Sequence, residues 1–125
     1  MTPCPAIHIE IVTRYIAPQS APEDGRYAFA YTITLRNDGQ QATQLLSRHW
    51  IITDANGRGE EVRGDGVVGE QPTLAPGGTF RYSSGAVLET PVGTMQGSYH
   101  FQAADGRSHE VPIPVFRLAL PGLLH

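Results

Sequence analysis

One segment of this 125-residue chain matches a string with known chemistry: Gly64-Asp65-Gly66-Val67-Val68-Gly69, a GxGxxG. In dinucleotide-binding folds such glycines let the backbone approach a pyrophosphate at a helix N-terminus, with a parallel strand before it and a helix after. Here Glu70-Gln71-Pro72 follows, and no helical period appears in the next fifteen residues. The local charge also opposes an anion, because Glu60, Glu61, Asp65 and Glu70 outnumber Arg58 and Arg63. A phosphate would need both arginines to converge on it. The favoured reading is a glycine-rich connection between two strands. Gly64, Gly66, Gly69, Arg58 and Arg63 form a weaker, secondary phosphate-loop set.

Other chemistries find less support. Asp54, Asn56, Asp65 and Glu70 carry the oxygen ligands that Mg²⁺ and Ca²⁺ prefer, but their spacing matches no calcium loop, and turn chemistry accounts for Asp54 and Asn56. Cys4 and the histidines at 8, 49, 100, 109 and 125 show no CxxC, HxH or HExxH spacing, although His100 and His109 flank a turn and could pair across a hairpin. Ser83-Ser84-Gly85 is not a nucleophile elbow, and Ser47 and His49 merely share a strand face. All nine basic residues are arginine, which removes any lysine-based mechanism. No catalytic residue, metal ligand or cofactor is nominated, and the chain is read as a non-enzyme. What remains is surface: Arg48 and His49 beside Trp50 have the composition of an interface anchor, and equally that of a buried tryptophan shielded by an arginine stem.

The elements that must position these residues are strands. Tyr27, Phe29, Tyr31, Ile33 and Leu35 alternate with small and polar residues, and Ile7, Ile9 and Ile11 do the same up to about Tyr15. Residues 18–25 read as a loop. From Ala42 to Thr53 the chain is apolar on both parities, so that strand is either covered on both faces or bulged. Trp50 within it reads as core. Asn56-Gly57 signals a hairpin in which both turn residues take positive φ. The stretch from Gly64 to Gly78 cannot be helix, and Gly85 to Gly93 reads as a loop with an apolar patch. On the last strand Val111, Ile113 and Val115 share one parity, and Pro112 and Pro114 mark it as an edge. Strand starts near 7, 26, 42, 59, 79, 95 and 108 predict an all-β, antiparallel sandwich of about seven strands.

Composition bounds the rest. With 14 glycines and 10 prolines a helical bundle is disfavoured, and the length fits a single domain over 1–125. A net charge of −3 leaves no basic footprint for nucleic acid. No stretch is long and apolar enough to span a membrane, no signal peptide is visible, and a single cysteine fits a reducing compartment. The expected location is the cytoplasm, and the expected partner is a protein of unspecified identity.

The run QLLSRHWIITDANG from Gln44, then EVRGDGVVGEQPTLAPGGTFRYSSGAVLETPVGTMQGSY, and finally VPIPVFRLALPGLLH together resemble the ApaG family of small bacterial proteins. The likeness covers nearly the whole chain from about Ile7. It implies a fibronectin type III-like β-sandwich, in agreement with the strand count, and a protein not demonstrated to be an enzyme. In that family the segment matching Gly64, Gly66 and Gly69 has been compared to a pyrophosphate-binding loop, which implies pyrophosphate or a dinucleoside polyphosphate as an alternative ligand. The resemblance also implies an association with cobalt tolerance and magnesium efflux.

Overall fold

The structure is a computed structural model, and it describes residues 6–122. Cys4 and His125 lie outside the described residues. Eight strands follow one another: β1 (Ile7–Tyr15), β2 (Tyr27–Asn37), β3 (Thr43–Asp54), β4 (Gly59–Asp65), β5 (Thr73–Leu74), β6 (Thr79–Leu88), β7 (Val92–Ala103) and β8 (Ser108–Ala119). They form two antiparallel sheets, β1-β2-β6 facing β4-β3-β7-β8, with β5 attached to the start of β3. This is the all-β sandwich expected from the sequence. In the fibronectin type III manner, the fourth strand joins the sheet of the third.

Alternation builds the core. Phe29, Tyr31, Ile33 and Leu35 of β2 are buried against Leu45 and Trp50 of β3, Tyr99 and Phe101 of β7, and Leu118 of β8. Trp50 sits in an aromatic cluster, its ring 5.6 Å from Tyr31, 5.8 Å from Phe116 and 6.1 Å from Tyr99. The Tyr82 and Tyr99 hydroxyls hydrogen-bond to each other inside the sandwich, joining β6 of one sheet to β7 of the other.

Two bulges explain the irregular patterning. Leu45 opposes Phe101 and Ser47 opposes His100, so Leu46 is an extra residue on β3. The inward parity therefore switches between Leu45 and Trp50, which is why the strand reads as apolar on both parities. On β8, Ile113 opposes Gly97 and Phe116 opposes Met95, which leaves an extra residue at Pro114-Val115. Val111 and Ile113 face the core as their parity requires, but Val115 is 60% exposed and Phe116 and Leu118 take over the inner face. The edge expected from the prolines is there, since β8 ends its sheet.

The irregular stretch between Gly64 and Gly78 is not helical, as expected, and adds the two-residue β5, too short to show a period. Three local expectations are refined. The supposed loop from Gly85 to Gly93 belongs largely to strands, because β6 continues to Leu88 and β7 already starts at Val92. The loop at residues 18–25 overlaps two short 3₁₀ turns, Ala17–Gln19 and Pro22–Asp24. At the β3–β4 hairpin only Gly57 has positive φ, at +83°. The Asp54 carboxylate accepts the amides of Asn56 and Arg58 at 2.9 and 3.0 Å, so an Asx turn closes a three-residue loop instead of a two-residue one.

Candidate functional site

The β3–β4 register joins two sets of residues that the sequence separates. Arg48 lies opposite Gly64, and His49 opposite Arg63. On the other side of β3, Ser47 faces His100 and His49 faces Ser98, while β8 brings Glu110 opposite His100. The result is a concavity of about 380 Å³ over the larger sheet, bordered by Arg48, Ser108 and His109 as well as these residues. His100 and His109 do not pair across their hairpin, because His109 opposes Phe101 and is one residue out of register.

Within the concavity Ser47, Ser98 and His100 offer hydroxyl and imidazole groups between the charged side chains. His49 Nε2 is 3.0 Å from Glu61 Oε2, and an Arg63 guanidinium nitrogen stands 3.5 Å from the same oxygen. The hydrogen bond from His49, and then its charge, hold the Glu61 carboxyl below the ordinary range. Charged side chains from β4 and β8 flank hydroxyl and imidazole groups from β3 and β7. Such a mosaic suits a partner with its own mixture of polar groups, because a drug-sized pocket is usually more apolar and more enclosed.

The glycine-rich segment beside it is a clamped turn. Val67 is fully buried, and Val68-Gly69 form a two-residue turn with φ of +43° and +80°. Val67 N–H donates to Glu70 O at 2.8 Å, and Glu70 N–H donates back to Val67 O at 2.9 Å. Gly66 N–H donates to Leu46 O at 2.8 Å. Gly66 also allows a close backbone approach, since a Cβ there would lie 2.2 Å from Glu70 O. Arg48 Nη1 donates to Asp65 O at 3.0 Å and to Gly66 O at 2.9 Å. The loop thus turns carbonyls toward a guanidinium, whereas a phosphate cradle needs free amides turned toward an anion.

The phosphate-loop set does not assemble. Gly64 and Gly66 meet Arg48, but Arg58 donates to Glu89 at 2.9 Å near the far end of β4, five residues and roughly 16 Å from Arg63. The oxygen ligands considered for a divalent cation are dispersed as well, Asp54 being committed to its own turn. Among the described residues no group of three or more His, Cys, Asp or Glu could hold a metal ion.

Of the interaction candidates, His49 faces the concavity and Arg48 anchors its neighbouring loop. Ser98 and Glu110 were not anticipated, and His100 only as a partner of His109. They lie about fifty or more residues from His49, and only strand register brings them to it.

Comparison with known proteins agrees with this architecture. The family model described as the ApaG domain matches residues 17–103. A protein named ApaG from Azoarcus sp. is 59% identical over 119 residues, covering 95% of this chain and 94% of its own. The ApaG of Pectobacterium atrosepticum is 53% identical over 125 residues, covering 100% of both chains. A crystal structure of a Bordetella pertussis protein described as ApaA superposes with a TM-score of 0.93 at 49% identity, covering 96% of this chain and 98% of that one. An Archaeoglobus fulgidus protein, at 9% identity and a TM-score of 0.53 over 94% of this chain and 100% of that one, shares the fold alone. With a family model matched over more than half its length and relatives above half identity along nearly all of it, the chain belongs to the ApaG domain family.

Proposed function

We propose that this protein is a non-catalytic interaction module of the cytoplasm that presents the outer face of its larger sheet to a partner protein. The carrying observation is the register-built row Ser47, His100 and Glu110 beside the row Arg63, His49 and Ser98, displayed on strands rather than on loops. A face built on strands is rigid before the partner arrives, so little ordering opposes association. The association with cobalt tolerance and magnesium efflux that accompanies the family resemblance would then be exerted through the partner. The alternative of pyrophosphate or dinucleoside polyphosphate binding gains nothing from a loop whose carbonyls are occupied by Arg48.

A photo-crosslinking residue at Ser98, in the centre of the face, and one at Thr32, on the other sheet, provide the test in living cells. A discrete protein adduct from position 98 that is absent from position 32 and weakened by Arg63→Glu is expected. Adducts of equal strength from both positions, or none from position 98, would overturn the proposal. In an amide-resolved NMR titration with pyrophosphate, saturable shifts confined to 58–70 would favour the alternative, and none are expected.

A further inference from the structure

Four strands end the two sheets, and three of them carry features that discourage another strand from adding to them. β4 displays Glu60, Glu61, Arg63 and Asp65, β8 has Pro112 and Pro114 with its bulge, and β1 lies against β8. The fourth, β6, differs. It runs ten residues, TFRYSSGAVL, with neither proline nor carboxylate and with Arg81 as its one charged side chain. It pairs with β2 on one side, and among the described residues nothing pairs with the other.

The sequence around this edge is self-complementary. Arg81 and Glu89 stand four residues either side of Gly85; Arg81 and Gly85 share one face within β6, and Glu89, the first residue past its end, joins that face when pairing lengthens the strand by one residue. When two antiparallel copies of β6 meet about a two-fold axis through Gly85, that residue opposes itself. Arg81 of each copy then opposes Glu89 of the other, and Ser83 opposes Val87. On the opposite face Tyr82 meets Leu88 and Ser84 meets Ala86. No like charges meet, and the position on the axis carries no side chain to hold the backbones apart. Glu89 meets Arg58 of its own chain at 2.9 Å, but both side chains are largely exposed, so the pair yields readily to a competing arginine.

We infer that β6 is a self-association edge: two copies pair antiparallel through it, centred on Gly85, and make one six-stranded sheet. The contact is isologous and closes at two copies. It leaves the concavity of the larger sheet open, so it stands independently of the partner reading.

Analytical ultracentrifugation of the full chain over a concentration series tests the inference, with Arg81→Glu, Glu89→Arg and the double charge swap as variants. Each is a surface change whose fold is checked by circular dichroism. The expected result is a species of twice the 13.5 kDa chain mass. Either single variant weakens it by about tenfold, and the double swap restores it. A chain that stays monomeric to millimolar concentration overturns the inference. So does a dimer indifferent to both single variants, or one that the double swap does not restore.

Discussion

The Arg48 guanidinium occupies the space that a side chain on Gly64 would need: a Cβ there would lie 2.8 Å from Nη1. From that position Arg48 holds the carbonyls of Asp65 and Gly66. Gly64 therefore serves a cation from the same molecule. Arg48→Ala is expected to lower stability by about 2 kcal/mol, because the half-buried Gly66 carbonyl and the exposed Asp65 carbonyl both lose a charged donor. Urea unfolding measures the loss. Hydrogen exchange should show faster exchange at Val67 and Glu70 with strand β7 unchanged. Equal acceleration everywhere would mean that Arg48 acts on the fold as a whole and not on the loop.

Val68 is the one non-glycine residue at positive φ among the described residues, and its side chain is 58% exposed. A β-branched residue pays about 1–2 kcal/mol to sit there, with no burial of its own to offset it. Val68→Asn should raise the urea midpoint by about 1 kcal/mol of stability with an unchanged slope. A fall in the midpoint would show that Val68 makes a compensating contact.

Gly97 lies opposite Trp50, and a Cβ on it would fall 1.9 Å from the His49 carbonyl oxygen. This obstruction is backbone, so no rotamer relieves it. Gly97→Ala is expected to cost about 3 kcal/mol and to separate β3 from β7 beneath the concavity. The midpoint of thermal unfolding reads the first effect, and the His49 and Ser98 amide shifts read the second. Gly106→Ala, at a turn with open space around it but a φ of +87°, should cost about 1 kcal/mol, through conformation alone.

Asn37 is buried and joins three segments: its amide nitrogen donates to Gln41 O at 2.8 Å and Leu74 O at 2.9 Å, and its oxygen accepts from Gly39 N–H at 2.9 Å. Asn37→Ala would remove all three of these hydrogen bonds from a buried site and is expected to cost about 2–3 kcal/mol in chemical denaturation. Asn37→Asp should be no better, because a carboxylate cannot donate to either carbonyl.

Burial pushes the ionisation of both Tyr82 and Tyr99 above the ordinary 10.0 of a phenol. A group whose folded-state pKa is raised favours the fold while it is protonated. That contribution is complete below about pH 10 and is lost as pH rises toward the folded value. Ultraviolet titration should therefore find two tyrosines that ionise only as the protein unfolds in alkali. Tyr82→Phe should lower stability by about 1–2 kcal/mol by leaving the Tyr99 hydroxyl alone, and adding Tyr99→Phe should cost less than it does in the wild-type background. Additive losses would show that the two hydroxyls do not depend on each other.

Most strand positions were legible in the sequence because alternation is local: the inward residues of β2 declare themselves within eleven residues, whatever their partners. What misled was also local. β5 is too short to show a period, the apolar patch after Gly85 lacks alternation, and the Asn-Gly pair closes a longer loop than its type suggests. The string GxGxxG identified an unusual segment but not its chemistry, because φ, the direction of a carbonyl and the reach of Arg48 depend on what the loop packs against.

By itself, the sequence determined an antiparallel sandwich and the edge at β8, since these follow from side-chain period and from proline's missing N–H, whereas the burial of Trp50 depends on the bulge that switches the inward parity of β3. Only the tertiary structure decided which residues meet. Ser47, His49, Arg63, Ser98, His100 and Glu110 share a face because β3 bulges at Leu46 and pairs with β4 and β7 in one register. A slip of one residue would send half of them to the core side, and register is a property of paired strands that no single strand encodes.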